Sequence, residues 1–190
     1  GSYIACPQRL VYDTEHGRSY TSSAAADFGT ICHYFTMHKM GLNPPAGKAN
    51  EATFKSAKTL SEFKHLTDAQ FNAAIMRCVD CAIKNLPVLS RGLYWIGEQK
   101  MYDKTLLPTR VGRSGDIGFG GDIDLLRNDR KELWDLKFPG KPPEKLKVEY
   151  LWQLLSYHLV SKAPITSILF VTRDANNFSK LQIDWSRPDL

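Results

Sequence analysis

Residues 131–138, KELWDLKF, decide how this chain is read. An apolar run of this kind belongs in a strand that hides its side chains, yet Asp135 and Lys137 stand two residues apart within it. Residues i and i+2 of a strand share a face, so opposite charges are presented together. Upstream, GDIGFGGDIDLL at 115–126 shows the same period of two. LRNDRKEL joins the two runs, with Asn128 and Asp129 where a hairpin turns. Such a hairpin lets Asp124 approach Asp135 across the strand pair. Facing carboxylates are unfavourable and raise one another's pKa, so a chain that places them there usually supplies a cation. Mg²⁺ or Mn²⁺ is the natural candidate, being a hard ion that takes carboxylate, carbonyl and water ligands. Lys137 would then stand beside a water on that ion. Asp122 shares a face with Asp124, so either could be the ligand. Taken alone, an Asp-x-Lys triplet reads as a surface salt bridge.

The rest of the chain supplies the setting. A length of 190 residues with 43% hydrophobic side chains suits a single domain over 3–190, with a helical part at about 22–90 and a sheet core at about 93–186. Helical spacing marks 22–40, stopped by GLNPPAG, and 67–86, which opens with a Thr-x-x-Gln cap and ends before Pro87. The period then changes to two in LYWIGEQKMYD at 93–103. An amphipathic helix is expected over 144–161, and further strands at 165–174 and 180–185. This order predicts an α/β fold with a mixed central sheet flanked by helices. Trp95, Trp134 and Trp152 lie on apolar periodic segments and are expected in the core. Twenty-five Lys and Arg against 20 Asp and Glu give a net charge of +5, which favours an anionic partner such as nucleic acid. No run of 18 apolar residues marks a membrane span, so no membrane partner is expected. Four cysteines suggest reduced thiols more than a disulfide framework.

Four short motifs change the weight of the Asp-x-Lys triplet. FGTICH offers Gly29, Thr30 and His33, GGDID offers Gly121 and Asp124, WDLK offers Asp135 and Lys137, and QLLSY offers Gln153 and Tyr157. Their order resembles the PD-(D/E)xK nuclease superfamily, and within it the RecB-like branch that includes CRISPR-associated and phage recombination exonucleases. YIACPQRL at 3–10 is similar to the Cys-Pro segment that often opens these domains, so the resemblance runs from about residue 3 to 172.

The resemblance implies a restriction-endonuclease-like fold and a Mg²⁺- or Mn²⁺-dependent deoxyribonuclease, exonucleolytic or single-strand-preferring, of recombination, repair or phage replication. It selects Asp124 over Asp122. It makes His33, Asp124, Asp135 and the carbonyl of Leu136 the metal ligands, with Lys137 positioning the attacking water. Gln153 and Tyr157 would hold the nucleic-acid backbone or steady Lys137. His38, lacking the Gly-Thr lead, carries no such role. Some relatives use a glutamate where this branch uses histidine, but Glu98 is read as an ordinary strand residue. Lys141, Lys145 and Lys147, with Arg110 and Arg113, are candidates for tracking DNA phosphates.

Many RecB-like nucleases bind an iron–sulfur cluster through one early and three late cysteines. No cysteine here follows residue 81, so that cluster is not expected. Cys6, Cys32, Cys78 and Cys81 are read as buried free thiols, with a metal site among them left open. The expected partner is DNA, single-stranded or with free ends. The expected location is the cytoplasm of a bacterial or phage-infected cell, or another reducing compartment that holds DNA. The alternatives are a non-cleaving nucleic-acid-binding module of the same fold and a cysteine-based metal or redox module.

Overall fold

The computed structural model describes residues 22–42, 44, 49–103, 109–110, 116–117, 119–145 and 147–187. Helix α1 (Ala24–Lys39) begins where the Ser23 hydroxyl accepts the Ala26 N–H at 3.2 Å, satisfying one of the donors a helix start leaves open. Helix α2 (Glu51–Lys58), capped by Asn50, is an element the periodicity did not flag, because eight residues offer barely two turns of pattern. Helix α3 (Asp68–Asn85) starts with the reciprocal Thr67 and Gln70 capping box that its sequence announces.

Strands β1 (Trp95–Asp103), β4 (Phe119–Arg127), β5 (Glu132–Lys137), β6 (Ile165–Val171) and β7 (Phe178–Asp184) form one mixed sheet in the order β1-β4-β5-β6-β7. Only β5 and β6 run parallel. A parallel pair needs a crossover, and α4 (Val148–Ser161) supplies it. The run 115–126, read as one strand, is divided. β3 (Asp116–Ile117) pairs instead with β2 (Thr109–Arg110) in a separate two-stranded ribbon. Helix α4 begins later than the spacing suggests, with Lys147 at its cap after a loop that contains Pro142 and Pro143.

Adjacent residues of β5 face opposite layers. Trp134 packs with Phe28, Ile31, Phe71 and Ile75 of the helical part, while Leu133 packs with Ile123 and Tyr157 under α4. Trp95 and Trp134 are core residues as expected, but Trp152 is 47% exposed on the outer side of α4. The apolar period around it runs round too much of that helix to name the buried stripe. Among the described residues no helix is long and apolar enough to cross a membrane.

One irregularity positions everything that follows. Gly97 and Leu125, a register pair, lie against the layer of α1–α3, whereas Met101 and Ile123 pack under α4. Strict alternation would put 97 with 101, and 123 with 125, on one face. The phase slips between them, at Glu98, whose φ is +42°, and at Asp124, which the register sets opposite it. A non-glycine residue in this left-handed region costs of order 1–3 kcal/mol and persists where its surroundings impose it.

Candidate active site

The slip delivers two carboxylates to one imidazole. His33, in the third turn of α1, sets Nε2 3.0 Å from Asp124 Oδ1 and Nδ1 3.3 Å from Glu98 Oε1. All three side chains are largely buried. Burial opposes charge on His33, but Asp124 and then Glu98 outweigh it and raise its pKa to about 9. The ladder between β4 and β5 closes at Leu125 and Trp134. Beyond that point the other Asp124 oxygen takes the Leu136 backbone N–H at 2.7 Å. Asp124 therefore bridges α1 and β5.

Asp135 lies one layer deeper and is 2% exposed. Its Oδ1 accepts hydrogen bonds from Gln153 Nε2 at 2.9 Å and from the Tyr157 hydroxyl at 3.3 Å. Lys137 Nζ approaches Oδ2 at 2.7 Å. Burial, with Asp124 adding to it and Lys137 opposing, raises the Asp135 pKa to about 6. Burial would lower the pKa of Lys137, but the charges of Asp135 and Asp124 raise it. Gln153 also donates to the Tyr157 oxygen at 2.8 Å, and the single Tyr157 hydroxyl proton is shared between Asp135 and the nearer Asp122 carbonyl at 2.9 Å.

His33, Asp124, Leu136 and Lys137 share the wall of one cavity of about 500 Å³, and Glu98 lines it too. Four elements, α1, β1, β4 and β5, thus bring sequence-distant residues to one place. Asp122 is exposed at the strand surface and contributes its carbonyl rather than its side chain. Of the two roles expected of Gln153 and Tyr157, holding the nucleic-acid backbone or steadying Lys137, their contacts bear on the second, through Asp135. They turn inward onto Asp135, and Tyr157 is 5% exposed with its hydroxyl engaged. A Gln and a Tyr four apart on a mostly apolar helix face lie on its buried side. Glu98, read as an ordinary strand residue, is a member of the site. Only the register opposite Asp124 would have located it, and the pairing of β1 with β4 was not readable locally.

His38 is exposed and stacks on Tyr34. Lys141 is exposed on the loop after β5, outside the cavity wall. Arg113, Cys6 and the segment 3–10 lie outside the described residues. Cys32 and Cys78 are buried free thiols, and Cys81 is a partly exposed one.

Among the described residues no group of three or more His, Cys, Asp and Glu side chains is placed to hold a metal ion, and His33, Asp124 and Glu98 are paired with one another. The donor chemistry nonetheless fits a hard divalent cation. His33 Nε2 and Asp135 Oδ2 are buried and make no hydrogen bond of acceptable geometry, although each lies within ion-pair distance of a partner. Buried polar atoms left in that condition call for a further ligand. The carboxylate oxygens suit Mg²⁺ or Mn²⁺, and the imidazole nitrogen, a ligand of transition ions, favours Mn²⁺ of the two.

No protein-family model matches the chain, and no curated protein matches it. Among solved structures, the crystal structure of SSO0001 is similar at 10% sequence identity over 96% of this chain and 76% of that one, with a TM-score of 0.35. A likeness at that level carries no argument about fold or function.

Proposed function

We propose that this chain is a Mg²⁺- or Mn²⁺-dependent nuclease of the restriction-endonuclease-like fold, hydrolysing DNA phosphodiesters from single strands or free ends. The observation that supports it most is the meeting of His33, Asp124 and Lys137 at one cavity, with Asp135 paired to Lys137 beneath its wall, in the motif order of the RecB-like nucleases. His33, Asp124, Asp135 and the Leu136 carbonyl would hold the cation. When bound, it supplies Lewis-acid polarisation of the phosphate and acidification of water.

The chain's own groups do the rest. Lys137 donates toward the attacking water and offsets charge on the phosphate, with a third of its side chain open to solvent. Gln153 and Tyr157 fix the rotamer of Asp135 from behind, as outer partners of ligating carboxylates do. Glu98 holds the far nitrogen of His33 and so sets which nitrogen faces the cavity.

The deciding experiment incubates end-labelled single- and double-stranded DNA with the protein in Mg²⁺, Mn²⁺ or EDTA. Cleavage is expected with either metal and none in EDTA. Tight binding without cleavage in any condition would favour the non-cleaving module.

A further inference from the structure

The same cavity has an Arg that the motifs do not account for. Arg173 follows β6, and its side chain lines the wall that carries His33, Asp124 and Lys137. It is held from several sides. Nη1 donates to Glu62 Oε1 at 2.5 Å and Nε to the Phe138 carbonyl at 3.4 Å. Its backbone N–H donates to the Pro139 carbonyl at 3.1 Å, and its own carbonyl accepts from the Cys78 thiol at 3.2 Å. The side chain is 14% exposed. A Cβ on Gly140 would stand 3.4 Å from the guanidinium carbon, an ordinary contact, so the group lies close over the loop. Nη2 has no hydrogen-bond partner among the described residues.

A guanidinium carries five donors in a planar fork and recognises phosphate with two of them. Glu62 and the Phe138 carbonyl engage Nη1 and Nε and fix the orientation of the fork, which leaves the Nη2 donors. Two aromatic rings in the same wall are braced by further aromatics. Tyr34 meets Phe35 edge-on at 5.5 Å, and Tyr150 meets Phe170 edge-on at 5.0 Å. A basic group and aromatic rings in one cavity wall are the elements by which single strands are held, with phosphate on the cation and bases on the rings. A cavity of about 500 Å³ is the size of a small-ligand site and has room for one nucleotide.

We infer that Arg173 forms a phosphate subsite in this cavity, gripping the backbone of a single nucleic-acid strand beside the reacting centre, with Tyr34 and Tyr150 flanking the adjoining base. This rests on the nuclease reading and adds a residue that holds the strand at the site. Arg173 here is a binding residue, and its loss weakens capture more than chemistry.

The test uses the full chain and a labelled single-stranded oligonucleotide, with Ca²⁺ in place of Mg²⁺ for binding and Mn²⁺ for cleavage. Affinity is read by fluorescence anisotropy over a KCl series, for the unmodified protein, Arg173→Gln, Arg173→Lys, Glu62→Gln and, as control, Arg187→Gln. Arg187 is 72% exposed beyond β7. Arg173→Gln is expected to weaken binding about tenfold and to lower the slope of log K against log salt by about 0.7, the value for one phosphate contact on a single strand. In cleavage, KM should rise more than kcat falls. Arg173→Lys should keep the slope but bind several-fold more weakly, since an ammonium cannot serve Glu62 and a phosphate in one plane; it decides the matter if the Gln variant does not fold. Arg187→Gln should match the unmodified protein. Equal losses on strands with and without a 5′-phosphate assign an internal phosphodiester; a loss confined to the phosphorylated strand assigns the terminal group. If both Arg173 variants keep affinity and slope while melting earlier, as Glu62→Gln also would, Arg173 is a structural tie and the inference falls alone. If the unmodified protein neither binds nor cleaves a single strand, the nuclease reading falls with it.

Discussion

Lys137 Nζ lies 2.7 Å from an Asp135 carboxylate that is 2% exposed, and single substitutions at this contact separate chemistry from binding. Asp135→Asn and Lys137→Ala are each expected to lower cleavage by at least about a hundredfold while oligonucleotide affinity stays within a few-fold, because both act on water and phosphate. Full activity in either would remove the nuclease assignment from this site. His33→Ala should be similarly damaging and His38→Ala silent, since only His33 touches Asp124. Equal, small effects would make His33 a structural residue. Tyr157→Phe separates positioning from contact with substrate. The hydroxyl serves Asp122 and Asp135, so its removal should cost about 1–2 kcal/mol in urea unfolding. It should reduce kcat by roughly ten- to a hundredfold. A rise in KM at constant kcat would instead mean that Tyr157 reaches the substrate.

Between elements, the packing of α4 on β4 leaves no space at Gly121. A Cβ there would lie 3.1 Å from Tyr157 Cε1, tighter than ordinary carbon contacts. Gly121→Ala must move either the ring or the strand, and overpacking of this kind costs about 1–3 kcal/mol. Because that ring also steadies Asp135, cleavage should fall together with thermal stability. If the variant melts earlier but cleaves at the normal rate, the link from Gly121 through Tyr157 to Asp135 is broken. The glycine of the Gly-x-x-Asp motif thus has a packing reason, two layers away from the chemistry it precedes.

For the molecule as a whole, the proposed cation site at Asp124 and Asp135 predicts a stability that depends on the metal. A ligand that binds only the folded state stabilises it by RT ln(1 + [M]/Kd), about 2.7 kcal/mol at a hundred times Kd. For a domain of this length that raises the melting temperature by roughly 5 to 10 °C. Thermal melts in EDTA and in millimolar Mn²⁺ should show the rise in the unmodified protein. In Asp135→Asn the rise should shrink, with the metal-free form less stable because Lys137 loses its buried counter-charge. An identical rise in both proteins would place the cation elsewhere.

What the sequence determined by itself lies within one or two turns or strands. Thr67 and Gln70 announced the start of α3, the apolar period of two marked β1 and β5, and Asn128 with Asp129 marked the turn that brings Asp124 and Asp135 together. Each of these depends on neighbours a few residues apart, where spacing fixes geometry. What only the tertiary structure decided involves partners distant along the chain. The place of Glu98 opposite Asp124 required the pairing of β1 with β4, and its +42° φ is imposed by that sheet. The inward turn of Gln153 and Tyr157, and the exposure of Trp152, depended on which stripe of α4 met the sheet. Arg173 joined the cavity because Glu62, Phe138 and Pro139 hold it there from two remote segments. A side chain's residue type states what it can bind, but what it does bind is set by the packing that closes the other directions.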